Sequence, residues 1–213
     1  MYRKLALPTI VALLFNLSTT FCFGNIDETP VKEFSGINFL NQEKIDIKIS
    51  QAGKATVIVF VSARCPCSLS HEPVLIRLAR EFGPHGFQFI GVHSNADESE
   101  DFARREFLRR GNLRGKHFPF PLLNDPDSKI ANQFEAFKTP HVYVVDPRGK
   151  VLFQGGVDDV SELVLDEKLN IDETNYQQSV KRQFLRDALL DVQATREPAE
   201  KKVRVLGCVI NRP

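Results

Sequence analysis

Residues 55–62 read Ala-Thr-Val-Ile-Val-Phe-Val-Ser, a run that is apolar at both odd and even positions and rich in β-branched side chains. Successive strand residues point to opposite faces, so such a run fits a strand covered on both sides, as in the middle of a parallel sheet. Cys65-Pro66-Cys67-Ser68 follows almost at once, and then a helical pattern over 68–82. Val74, Leu75, Leu78 and Phe82 share one face of that helix; His71, Glu72, Arg77, Arg80 and Glu81 are assigned to the water side. Pro73 is expected to kink the helix, and Gly83-Pro84 ends it. A second buried strand follows at 86–93. Strand, helix and strand in this order form a parallel βαβ unit, whose carboxyl edge is where sites gather in open α/β sheets. The cysteine pair lies on that edge.

The remaining chain is assigned around this unit. Two short strands flank a polar turn at 41–44. A helix at 99–110 begins acidic and ends basic, which suits the helix dipole. Its basic cluster, continued by Arg114, Lys116 and His117, reads as a solvated helix end, with a docking patch for an acidic partner as the alternative. Residues 118–123 are extended, and Asp127 caps a short helix running to Phe137. A strand at 141–146, a turn at 147–150 and an antiparallel partner at 151–154 make a hairpin. An acidic irregular stretch spans 157–175, and one long helix spans 176–193. The fold class is therefore α/β, a central mixed β-sheet flanked by helices, with a C-terminal tail at 197–213 carrying Cys208.

The 28 basic and 27 acidic side chains leave a formal net charge of +1, without the basic excess of a nucleic-acid binder. Arg3 and Lys4, an apolar run over 5–15 and small residues up to Gly24 have the layout of a cleaved export signal. Cleavage is expected after Gly24, with Thr20 as the rival position. The expected organisation is a signal peptide at 1–24, one domain at 25–196 and the tail. The mature chain is expected to be periplasmic or secreted, with no stable membrane insertion. It keeps Cys65, Cys67 and Cys208 in an oxidising compartment, where thiols need a reason to exist.

A thiolate is the nucleophilic form of cysteine, and the unpaired N–H groups and partial positive charge of a helix start favour it. Cys65 sits there, Pro66 fits the first helical turn without losing a hydrogen bond, and Arg64 adds a neighbouring cation. The sulfur that resolves Cys65 is open between two choices. Cys67 is the first candidate, although positions i and i+2 do not face each other in a helix; Cys208 is the second, if the tail folds back. A metal alternative uses Cys65, Cys67, His71 and His141 as soft or borderline ligands for Cu(I) or Zn(II).

The segments VIVFVSARCPCS (57–68), GVHSN (91–95), TPHVYVVDPRGKVLFQGGVDD (139–159) and LGCVI (206–210) together resemble the thioredoxin superfamily, in its redoxin or peroxiredoxin-like branch, the alkyl hydroperoxide reductase/thiol-specific antioxidant type. The resemblance implies a thioredoxin-like fold and a cis Thr139-Pro140 peptide beside the active cysteine, where the backbone before the proline pairs with a bound substrate chain. It implies substrate-binding roles for Ser62, Arg64, Thr139 and Pro140. The chain departs from the pattern in several places. Arg64 stands where thioredoxins carry Trp, Ser68 stands at their second cysteine, and Val59 replaces their buried acid. Ile58 and Ser62 stand where peroxiredoxins carry Pro and Thr.

The expected activity is thiol–disulfide exchange through Cys65, with peroxide reduction and metal binding as alternatives. The expected partners are a protein disulfide or thiol, or a peroxide, and an upstream redox protein. No bound cofactor is required.

Overall fold

The computed structural model describes residues 30–213. The expected signal peptide at 1–24 lies outside the described residues. Among the described residues, no helix is long and apolar enough to cross a membrane.

The elements run β1 (Phe34–Asn38), β2 (Lys44–Ile47), β3 (Ala55–Val61), α1 (Pro66–Phe82), β4 (Phe87–His93), α2 (Glu100–Arg114), β5 (Leu122–Asn124), α3 (Lys129–Gln133), β6 (Lys138–Thr139), β7 (His141–Val145), β8 (Val151–Gly155), α4 (Glu173–Ser179), α5 (Phe184–Gln193) and β9 (Cys208–Val209). Seven strands form one mixed sheet in the order β2-β1-β5-β4-β3-β7-β8, and β6 pairs with β9 separately. β3, β4 and β5 are parallel, while β7 is antiparallel to both β3 and β8.

The alternation within β3 decides which residues enter which core. Val57, Val59 and Val61 face one layer, with Val74, Leu75, Leu78, Leu185 and Leu189 of the helices; Ile58 and Phe60 face the other, with Ile130 and Phe134 around α3. All seven β3 residues are buried, as a strand covered on both faces requires. Each fully buried Val, Leu, Ile or Phe stabilises the fold by about 1.5–3 kcal/mol before the entropy of ordering it is subtracted.

Four local expectations are corrected. The helix expected at 176–193 is broken between α4 and α5. The Asp159 carboxylate accepts the backbone N–H groups of Lys181 (3.0 Å) and Arg182 (3.2 Å), and Leu185 N–H reaches Val157 O at 3.0 Å, so tertiary bonds replace helical ones there. Asp127 does not cap α3: the N-cap position is Ser128, without a side-chain cap bond, and the Asp125 carboxylate accepts Ile130 N–H at 3.0 Å and Ala131 N–H at 2.9 Å. α2 runs a turn past position 110 and stops at Gly115 in the left-handed conformation. His71 and Glu72, assigned to water, are buried at 2% and 0% exposure. Arg110 and Arg114, which belong to the core rather than to a solvated helix end, hold Glu72 at 2.6 Å each, and Asp158 faces His71 at 3.1 Å.

Candidate active site

Parallel pairing of β3 with β4 and antiparallel pairing with β7 bring three chain segments to one sheet edge. Val61 pairs with His93 at the carboxyl end of β4, and Phe60 pairs with His141 at the start of β7. The loop from β3 into α1, the Thr139-Pro140 peptide and the residues after His93 therefore converge. The Thr139-Pro140 bond is cis.

Cys65 is the N-cap of α1, and its sulfur lies 3.4 Å from the Ser68 N–H. Ser68, at the position of the thioredoxin second cysteine, accepts the Ser62 N–H on its hydroxyl at 3.0 Å. Ser62 orients the loop: its Oγ accepts the N–H groups of Arg64 (3.1 Å) and Cys65 (2.9 Å) and donates to Glu98 Oε1 at 2.5 Å. The other Glu98 oxygen accepts Ala63 N–H at 2.7 Å and faces His93 Nε2 at 2.9 Å. Burial pushes the Glu98 carboxyl up, but hydrogen bonds from His93, Ser62 and the Ala63 N–H outweigh it and hold the group below the usual value. On the other side of the loop, the Arg110 guanidinium donates to the Ala63 carbonyl.

Cys65 is joined to Cys208 by a disulfide across 143 residues, with the Cα atoms 5.9 Å apart; Cys67 is a free thiol. The joined pair uses Cys208, the second of the two candidate partners, and leaves Cys67, the first, unlinked. A bridge between positions 65 and 67 would distort the first turn of α1, whereas the tail brings Cys208 in from outside the helix. The three sulfur atoms lie within 4.8 Å of one another. Burial, and then the charge of Glu162, push the Cys67 thiol above its usual value. Cys65 is only 2% exposed, while Cys67 and Cys208 are half-buried.

The tail is seated at several points. Ile210 N–H reaches Phe137 O at 3.0 Å, Asn211 N–H reaches Asn95 Oδ1 at 3.0 Å, and Val203 N–H reaches Gln154 O at 3.0 Å. Thr139 pairs with Cys208 and Lys138 with Val209. The backbone before the cis proline, which the resemblance assigns to a substrate chain, is thus occupied by the protein's own tail. Gly207 permits the approach: its φ is +146°, and a Cβ there would collide with the Thr139 carbonyl.

The other expected site residues are distributed as follows. The Arg64 guanidinium lies 4.7 Å from the Phe102 ring centroid, so it stacks there. Thr139 places its carbonyl oxygen 3.2 Å from the Cys65 sulfur. Of the alternative metal set, Cys65 and Cys67 are near each other, but both histidines are engaged elsewhere. His71 contacts Cys67 O at 2.7 Å and Asp158 Oδ1 at 3.1 Å. His141 lies between Phe137 and Tyr143 and is pushed down to about 3 by burial and by Lys202. The group whose donor atoms converge among the described residues is Cys65, Cys67 and Cys208.

Glu98, His93 and Asp158 were not singled out from sequence. The one available signal was a carboxylate five positions after a histidine at the end of a buried strand.

On a thioredoxin-like scaffold, the cysteine at the head of the first long helix thus has a serine hydroxyl on its backbone N–H and, 3.2 Å from its sulfur, the carbonyl oxygen of the residue before a cis proline. Residues 28–154 match the AhpC/TSA family. The chain belongs to that family. With it the chain is a thiol-dependent redox enzyme. A comparison with curated proteins finds no significant match. Among solved structures, the chain is similar to an uncharacterized conserved protein of Geobacillus kaustophilus (24% identity, TM-score 0.68, covering 87% of this chain and 91% of that one). It is similar in the same way to a hypothetical protein of Sinorhizobium meliloti 1021 (20% identity, TM-score 0.68, covering 87% and 93%). A thiol:disulfide interchange protein DsbE of Chlorobium tepidum aligns at 17% identity and TM-score 0.50, covering 59% of this chain and 81% of that one. At these identities the likeness is one of fold. The AhpC/TSA match ends at β8, and the tail that carries Cys208 lies beyond it.

Proposed function

We propose that this AhpC/TSA protein is an exported thiol–disulfide oxidoreductase that cycles between a Cys65–Cys208 disulfide and the corresponding dithiol, in a chain organised as a leader at 1–24, a redoxin domain at 25–196 and a redox-active tail at 197–213. The observation that carries this reading is the pairing of Cys65 with the tail cysteine, on the strand edge where a substrate backbone would lie.

In the oxidised form Cys65 is covered, so an incoming substrate thiolate attacks the half-buried Cys208 sulfur. A bond forms between substrate and Cys208, the Cys65–Cys208 bond breaks, and its electron pair leaves on Cys65. Cys65 is the better leaving group because the helix start stabilises its thiolate. A second substrate thiol then displaces Cys208. The substrate becomes a disulfide and the protein a dithiol, with two electrons transferred. The reverse sequence reduces a substrate disulfide. Once reduced, the tail is held by hydrogen bonds alone and can leave the edge at Thr139, giving a polypeptide access to Cys65.

Cys67 serves as an exchange thiol rather than as the first resolving group. Its thiolate attacks Cys208 within the three-sulfur cluster, Cys65 departs with the electron pair, and no net oxidation occurs. The raised Cys67 value makes this step faster at alkaline pH.

Peroxide reduction is the second reading, favoured by membership of the AhpC/TSA family. Cys65 would become a sulfenic acid, and Cys208 would condense with it, releasing water.

Reduction, alkylation and hydrogen exchange test the main reading. Reduced protein is expected to lose amide protection at 206–211 and to gain alkylation at Cys65 while the domain core stays protected. It is expected to exchange disulfides with a model peptide faster than it consumes hydrogen peroxide. A reduced protein whose tail stays protected, or which consumes peroxide faster than it exchanges disulfides, contradicts it.

A further inference from the structure

Residues 202–205 of the tail face β6 and the start of β7 across a cavity of about 400 Å3. Sites for small organic molecules span about 300–1,000 Å3. His141 lines this cavity and is 2% exposed. Its Nδ1 lies 3.3 Å from the Tyr143 hydroxyl, which has no other hydrogen-bond partner among the described residues. Tyr143 is fully buried, and burial raises its value and keeps the hydroxyl protonated. The hydroxyl therefore donates to Nδ1. Burial and the nearby Lys202 charge keep the ring neutral, so its own proton sits on Nε2. Among the described residues, nothing accepts that N–H. A buried donor without an acceptor bears the whole cost of its lost hydration, and the space this ring borders is the cavity.

The rest of the wall is of two kinds. Phe137, Val203 and Val205 are apolar, and Phe137 is 48% exposed, its ring centroid 5.1 Å from that of His141. Lys138, Lys202 and Arg204 set three positive charges against the one carboxylate of Glu135. Neighbouring Lys201 is paired with Glu197, whereas none of these four groups is in an ion pair among the described residues. The Lys138 ammonium instead donates to Val205 O at 3.3 Å, which ties the domain wall to the tail wall. A neutral buried donor, a positive rim and an apolar wall together suit one carboxylate on an apolar body. A doubly charged anion would lose more hydration at the buried end and would meet Glu135.

We infer that this cavity binds a small monocarboxylic acid with an apolar body. The carboxylate accepts the His141 Nε2–H and faces Lys202 and Arg204, while the body covers Phe137, Val203 and Val205. The inference does not rest on the exchange chemistry proposed above: the site is complete in the disulfide form, and its occupancy is read without turnover.

Titration of the oxidised full chain with phenylbutyrate, followed by heteronuclear NMR, tests the site. Saturable one-to-one binding is expected, with shifts centred on residues 135–141 and 202–205 and a downfield move of the His141 Nε2–H, as a hydrogen bond to a carboxylate requires. Phenylbutylamine, which reverses the charge, and acetate, which lacks the body, are expected to bind about tenfold more weakly or worse. The double variant Lys202→Gln, Arg204→Gln changes only exposed cations, so it is expected to fold, to keep its disulfide and to lose about fivefold in affinity. His141→Phe keeps a ring between Phe137 and Tyr143 but removes the donor, and is expected to lose about tenfold or more. If that ring change unfolds the chain, the double variant still decides. A failure to saturate overturns the inference. So do shifts centred elsewhere, an amine that binds as tightly as the acid, and an affinity unchanged in the double variant.

Discussion

Ser62 and Glu98, 36 residues apart in the chain, share a buried hydrogen bond of 2.5 Å between hydroxyl and carboxylate. Through Ser62 that carboxylate holds the backbone N–H of Cys65, and through its second oxygen it holds Ala63 N–H and His93. Thioredoxins place a buried acid within the strand itself; here that position is Val59, and the carboxylate arrives from the loop before α2. Replacing Glu98 by Ala leaves these buried donors without an acceptor, which costs about 1–3 kcal/mol for each stranded group. We expect Glu98→Ala to lower urea stability by at least that much and to slow disulfide exchange. Because the Glu98 value is lowered in the folded protein, its contribution is complete above the unfolded carboxylate value and disappears as pH falls through the lowered one. Glu98→Gln should therefore flatten the acid limb of stability measured between neutral pH and strong acid.

The bond between Cys65 and Cys208 closes a loop of 143 residues. On the chain-entropy account, such a closure stabilises the fold by about 5 kcal/mol. Cys208→Ser is expected to remove most of that in chemical denaturation and to abolish multiple-turnover exchange, whereas Cys67→Ala leaves the Cys65–Cys208 link detectable in a non-reducing peptide map. Gly207→Ala provides a separate test, since every cysteine is kept. A side chain there collides with the Thr139 carbonyl, so the variant should show a displaced tail and a disulfide more easily reduced by glutathione.

His141 should make the protein acid-sensitive well above the carboxylate range. Its folded value is pushed down to about 3 by burial and Lys202, while the unfolded chain titrates near the ordinary histidine value. Below that ordinary value the unfolded state binds the additional proton, so stability falls by about 1.4 kcal/mol per pH unit until the folded value is reached. His141→Gln removes this slope between about pH 6.5 and pH 4, as read from urea melts at a series of pH values. A slope that persists in the variant would assign the acid sensitivity to other groups.

Glu72 lies between Arg110 and Arg114 with no exposure to water. Removing one partner of a buried charge group strands the others, at a cost of about 3–5 kcal/mol. Glu72→Ala is accordingly expected to be the most destabilising surface-neutral change in α1. It should also disturb Arg110, whose guanidinium caps the Ala63 carbonyl in the cysteine loop. A melting temperature unchanged from that of the parent would contradict the placement of these charges in the core.

The sequence alone determined the fold class, the strand-to-helix junction and the position of Cys65 on it, because these depend on local periodicity: a run apolar in both parities makes a two-sided strand, and a proline after a cysteine starts a helix. The polar groups that complete the site depended on long-range pairing instead. Glu98 reaches Ser62 only because β4 lies beside β3, and Cys208 reaches Cys65 only because the tail runs parallel beside β8 at Gln154 and then pairs with β6. Helical spacing likewise puts Glu72 on a solvated face, and the run of basic residues puts Arg114 in a solvated helix end. Their mutual neutralisation across two helices was decided in three dimensions, because a charge can be buried only where the fold brings its counter-charge, and linear spacing carries no record of that distance.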